Sequence, residues 1–158
     1  MSKAEQTPFF VYGTLLPNQP NFPIWGSAIL NMEAAQFHGG RLHDMGFYPM
    51  VIAAKAATVQ GMVIMVAAAS YRTIQQQLDV LEGYDPANQA GSAYRRQRAQ
   101  VVMANGRFQP AWIYRGQPQF VKDKPIVANG DWTTYAASKQ AESEAWWRNI
   151  NSVAGLDK

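Results

Sequence analysis

Two carboxylates, Asp79 and Glu82, stand three residues apart just ahead of Gly83. The stretch Ser70–Leu81 carries Ile74, Leu78 and Leu81 at helical spacing, with Ser70 placed to cap it, and predicts a helix. Gly83 is where that helix should stop, because glycine takes the left-handed conformation after a helix end at little cost. Asp79 and Glu82 then fall in the last turn, where exposed carbonyls carry partial negative charge. A carboxylate there is disfavoured by a few tenths to about 1 kcal/mol. The helix-end field and partial burial both push such a group towards its neutral form, so that it can take and return a proton near neutral pH. A solvated glutamate that tolerates a poor position fits the same pattern, and this stretch alone does not decide.

A second feature lies near the start. Phe9–Tyr12 is short, apolar and aromatic, and reads as a buried first strand. It runs into Gly13-Thr14-Leu15-Leu16, where a glycine lets the backbone turn sharply and leaves successive N–H groups facing outward. Such groups form an anion-binding concavity or an oxyanion site. Strand followed by Gly-Thr is also an ordinary structural ending. Other chemistries have less to stand on. The chain has no cysteine, hence no disulfide, thiol nucleophile or thiolate metal site. Its two histidines, His38 and His43, flank a Gly-Gly pair rather than sharing a helix face, and are expected to be surface or structurally satisfied groups. No serine elbow or nucleotide-binding glycine loop is present. Arg95, Arg96 and Arg98 would alternate faces on a strand, which suits solvated residues flanking a site better than a nucleic-acid stripe.

With 158 residues, 47% apolar and 16% charged, the chain is expected to form one globular domain. A net charge of +3 makes no demand for nucleic acid. The polar segment 1–7 lacks the apolar stretch of a secretion signal. The longest apolar run, Met62–Ala69, is far shorter than the roughly 20 residues that span a bilayer. No membrane partner and a cytoplasmic location follow as expectations, and oligomeric state is left open.

The elements that must position these residues read as follows. Ile24–Leu30 is one or two helical turns, Glu33–His38 a strand, Gly39-Gly40 a turn, and Arg41–Tyr48 a short strand with its turn. Pro49–Ala53 is extended, and Thr58–Ala67 is a strand in which Gly61 marks a bulge or a close backbone approach. Beyond the helix and the turn-rich loop Asp85–Ser92, Tyr94–Met103 and Phe108–Tyr114 form a hairpin about Asn105-Gly106. Residues 115–129 are irregular. Gly130-Asp131 opens a last helix to about Ile150, with Trp132, Tyr135, Ala136, Trp146, Trp147 and Ile150 near one stripe. The expected class is α+β, a small mixed or antiparallel β-barrel with flanking helices, its core over about 8–130 and the last helix over about 131–150.

Three pieces occur together in order: Tyr12-Gly13-Thr14-Leu15 after a strand, Tyr48-Pro49-Met50-Val51 in mid-chain, and Leu78-Asp79-x-x-Glu82-Gly83-Tyr84 followed by Tyr94-x-Arg96. In these the chain resembles the γ-glutamylcyclotransferase-like (AIG2-like) family, which includes the γ-glutamylamine cyclotransferases. The resemblance implies a small barrel with a pocket where the first-strand loop meets the acidic helix end. It implies Glu82 as catalytic acid/base, the backbone of Gly13, Thr14 and Leu15 as substrate cradle, Tyr12 and Tyr94 as pocket tyrosines, and Tyr114 as a further pocket residue. The implied reaction is acyl transfer to the substrate's own α-amine, converting a γ-glutamyl amide to 5-oxoproline and a free amine or amino acid, without cofactor or metal. Tyr12 and Tyr94 are expected to hydrogen-bond substrate or Glu82, and Asp79 to serve helix or loop contacts. A non-catalytic module binding a small acidic or γ-glutamyl ligand is the alternative. The chain departs from the family pattern at Leu16, where a basic residue is usual, and at Phe22, where a histidine often follows the asparagine.

Overall fold

The computed structural model describes residues 6–142. Five strands close into a barrel: β1 (Phe9–Val11), β2 (Ile29–Asp44), β3 (Pro49–Val66), β4 (Arg95–Met103) and β5 (Phe108–Arg115), in the spatial order β1-β3-β2-β4-β5. All pairings are antiparallel except the closing one, where β1 runs parallel to β5 at Phe9 and Trp112. This is the mixed barrel that the hydrophobic pattern predicts.

Strand alternation divides the apolar residues into two bodies. Phe10, Val51, Val59, Val101, Ala111 and Ile113 fill the barrel interior, and Trp132 and Val127 belong to the same cluster. Phe9, Ile64, Trp25 and Met50 face outward and are covered by the helix α1 (Ala68–Leu81) through Tyr71, Ile74 and Leu78. Burying each of these three side chains contributes about 1.5–3 kcal/mol, which fixes the helix against the barrel wall. Residues 132–142 are helical (α2), with Tyr135 and Ala136 packed beside Trp132. The expected stripe positions Trp146, Trp147 and Ile150 lie outside the described residues. Among the described residues, no helix is long and apolar enough to cross a membrane.

Several local expectations are corrected. Gly39-Gly40 is not a turn: β2 runs straight through it, with a register shift between His38 and Gly40 where Gly39 takes φ 101°. A Gly-Gly pair reads as a turn by composition, but a long barrel strand has to coil, and the irregularity opposite Gly39, where β3 carries the extra residues 54–57, lets it do so. Residues 49–66 likewise form one strand rather than two pieces. Of the two readings given for Gly61, the close approach holds: the register is continuous there, and a Cβ would clash with the Val11 carbonyl oxygen. Helix α1 starts at Ala68, with Ala67 as its uncapped N-cap, so Ser70 lies inside it.

Candidate active site

The end of α1 is a Schellman turn. Glu82 is the C-cap, Gly83 follows with φ 67°, Tyr84 N–H donates to the Asp79 carbonyl (2.8 Å) and Gly83 N–H to that of Val80 (3.1 Å). Satisfying the last carbonyls in this way fixes the backbone that carries Glu82. The acid at Asp79, unfavourable on helix-end grounds, is offset by specific partners. Arg96 Nε donates to its Oδ1 at 2.9 Å and the Tyr114 hydroxyl to the same oxygen at 2.6 Å. The Arg96 guanidinium also lies over the Trp112 ring, 4.6 Å from its centroid. Arg96 is thus a half-buried ion-pair partner rather than the solvated flanking residue expected from its cluster.

After β1, the chain turns back on itself through its carbonyls. Gly13 C=O accepts from Leu16 N–H (3.0 Å), Thr14 C=O from Asn21 N–H (2.8 Å), and Leu15 C=O from the Trp25 indole (3.1 Å). In a trans peptide, the C=O of one residue and the N–H of the next point opposite ways. The N–H groups of Thr14 and Leu15 are therefore directed away from these partners. Among the described residues, neither these two amides nor that of Gly13 donates a hydrogen bond. Buried N–H groups without partners are rare in folded proteins, and a run of them at a loop is a ready anion site. Asn21 steadies the loop further, donating its side-chain amide to Thr14 Oγ1 (2.9 Å).

Loop and helix end line one cavity of about 530 Å³, together with Tyr12, Tyr94, Tyr114, Asn21, Phe47, Tyr48 and Pro49. Gly13 sits flush on Pro49: a Cβ there would stand 2.5 Å from the ring Cγ. Tyr12, Gly13, Thr14, Leu15, Glu82, Tyr94 and Tyr114 all contribute to this wall, whereas Asp79 does not. Residues 47–48, Asn21 and Pro20 were not singled out as site residues. Their signals are the Tyr48-Pro49 motif, the Pro/Asn content of the loop, and the partial likeness of Gln19-Pro20-Asn21 to the amine-specific members of the family.

Glu82 has no hydrogen-bond partner among the described residues, and burial alone pushes its carboxyl up to about 7. By solvent contact the residue is half-buried, because water can enter the cavity, yet protein atoms surround the carboxyl on most sides. The three tyrosines are held neutral by burial in the first place, with the nearby Glu82 charge adding to the effect at each.

Their hydroxyl protons are committed within the protein. Tyr12 donates to the Tyr114 carbonyl (2.5 Å), Tyr94 to the Pro49 carbonyl (2.7 Å) and Tyr114 to Asp79. None bonds Glu82. With the proton tied back, each oxygen can offer only a lone pair to a guest, which suits an ammonium.

The histidines are satisfied in place. His43 Nδ1 faces the Lys124 carbonyl at 3.0 Å and its Nε2 accepts from Arg41 Nε at 3.0 Å, while His38 pairs with Thr58 on the surface. Among the described residues, no group of three His, Asp or Glu side chains is placed to hold a metal.

Residues 9–134 match a family model described as gamma-glutamyl cyclotransferase, AIG2-like. Solved structures share the fold. YkqA from Bacillus subtilis is 22% identical over 85% of this chain (TM-score 0.61), although the chain spans only 42% of that protein. The protein ytfP from Escherichia coli is 26% identical over 79% of this chain and 95% of its own length (TM-score 0.56). A gamma-glutamyl cyclotransferase structure is 14% identical over 76% of this chain and 69% of its own (TM-score 0.51). No curated protein sequence matches the chain.

Proposed function

The chain belongs to the gamma-glutamyl cyclotransferase, AIG2-like family, and from that premise we propose that its cavity cyclises a γ-glutamyl amide to 5-oxoproline with release of an amine or amino acid. The observation that carries this reading is the shared cavity, with a burial-raised carboxyl on one wall and unpartnered loop amides on the other.

The substrate's α-nitrogen attacks its own γ-carbonyl carbon. A new C–N bond closes the five-membered ring as the bond to the leaving nitrogen breaks. The α-nitrogen arrives as –NH3+ and ends as the lactam N–H, so it sheds one proton before attack and one after it, while the leaving nitrogen gains two and departs as an ammonium. Glu82, ionising near 7, accepts each proton in turn and passes it to the leaving nitrogen. The amides of Thr14 and Leu15 hold the α-carboxylate or the developing oxyanion; losing one such oxyanion donor costs about 3–4 kcal/mol. The tyrosine oxygens, as acceptors, orient the ammonium. Confinement in the folded-back conformer supplies the proximity contribution.

The test is 5-oxoproline release from γ-glutamyl amides by the wild type and by Glu82→Gln. Loss of turnover by a factor of about 10² to 10⁴ in a folded variant is expected for a general acid/base. Turnover that survives the substitution removes Glu82 from the reaction. Binding of 5-oxoproline by a wild type that turns nothing over makes the cavity a binding site only.

A further inference from the structure

The cavity has two unlike halves. The floor holds Glu82, the loop amides and the three tyrosines. The solvent-exposed part of the lining includes Phe47 and Tyr48 on the β2–β3 turn with Leu81 and Pro20, and the half-buried Ala93 adjoins it; we refer to it as the mouth. Among the described residues, Glu82 is the only formally charged side chain in the lining. Phe47 is 92% exposed, an unusual place for a phenylalanine, and Leu81 is 40% exposed.

Phe47 is not on a loose loop. Met45 N–H donates to the Tyr48 carbonyl (2.9 Å), Gly46 N–H to Asp44 Oδ1 (2.7 Å), and Lys139 Nζ grips both Asp44 (2.7 Å) and the Gly46 carbonyl (3.0 Å). A ring held out over a cavity by a pinned turn loses water contact only when something apolar enters beneath it.

Taking the cyclotransferase reading as its basis, we propose that the mouth is a leaving-group subsite for an uncharged amine with an aromatic or aliphatic body, and that Phe47 is its specificity-determining contact. Among the described lining residues a leaving group's carboxylate finds no cation, and of the nearby ones Lys139 is taken by Asp44, Arg96 by Asp79, and Arg115 donates to Gln97. A cationic one finds no second carboxylate, since Asp79 is occupied by Arg96 and Tyr114. An apolar group buries the faces of Phe47, Tyr48 and Leu81 and strands no charge.

The test compares γ-glutamylbenzylamide, γ-glutamylmethylamide, γ-glutamylglycine and γ-glutamyl-ε-lysine on the full chain. The benzylamide is expected to lead in kcat/KM by about tenfold or more, the range of one good apolar contact. Phe47→Ala should cut the benzylamide-to-methylamide ratio about tenfold through KM, and Phe47→Leu should restore most of it. A lead for the glycine or lysine compound, or a ratio that Phe47→Ala leaves unmoved, overturns the subsite while leaving Glu82 chemistry intact. If no compound turns over, the cyclotransferase reading fails. Calorimetric binding of benzylamide against glycine compound to Glu82→Gln then still decides the subsite.

Discussion

Glu82 carries opposite consequences for rate and stability. Its carboxyl ionises near 7 in the folded chain against an ordinary value of 4.5. Between those values the folded state holds a proton that the unfolded state has released, so stability falls as pH rises through this window. Above it the penalty is constant at about 3 kcal/mol or less. Glu82→Gln should therefore melt higher than wild type at pH 8, and the gap should close towards pH 4.5, as thermal denaturation at the two pH values will read. In the same window, kcat/KM of the wild type should climb about tenfold per pH unit and level off above 7, the profile that the proposed role of the ionised carboxylate as base requires. The position of this residue was legible because Gly83 marks the helix end so plainly. The tyrosines were legible as pocket residues but not in their bonding. Tyr12 and Tyr94 donate to carbonyls 102 and 45 residues away, and no local pattern encodes such partners.

Two elements meet at the cavity, and each has a residue that sets its pose. In α1 it is Asp79, which ties the helix end to β4 through Arg96 and to β5 through Tyr114. Asp79→Asn should lose about 1–3 kcal/mol in chemical denaturation, as expected for hydrogen bonds to a charged group. Its effect on kcat should be smaller than that of Glu82→Gln, because Asp79 touches no reacting atom. In the first loop it is Gly13. A methyl group there collides with the Pro49 ring, 2.5 Å away, so Gly13→Ala must shift the loop that bears the free amides. A rise in KM of an order of magnitude or more in steady-state assays is expected if those amides hold the substrate. The strands themselves were legible from alternation, but their lengths were not. The sequence divides β2 and β3 into pieces at Gly39-Gly40 and around Lys55, whereas barrel closure needs long, coiled strands and overrides the local turn signal.

At the scale of the molecule, Asp44 ties α2 to the barrel through Tyr135 and Lys139, beside the apolar packing of Trp132. Desolvation alone would raise the Asp44 carboxyl, but hydrogen bonds from Lys139, Tyr135 and Gly46 outweigh it and hold the group below its usual value. Its stabilising contribution is present above the ordinary carboxylate range and is lost as pH falls through the lowered value. Tyr135→Phe should cost about 1 kcal/mol and speed hydrogen exchange across residues 132–142 more than in the barrel. The barrel closes where Phe9 meets Trp112, a partner more than a hundred positions further along. Since the strand making that last seam leads directly into the amide loop, a chain emerging from the ribosome owns no closed cavity until Trp112 has been translated. Appearance of activity during synthesis is then a clock for ring completion, and any truncation ahead of Trp112 should be catalytically silent however much local structure it keeps.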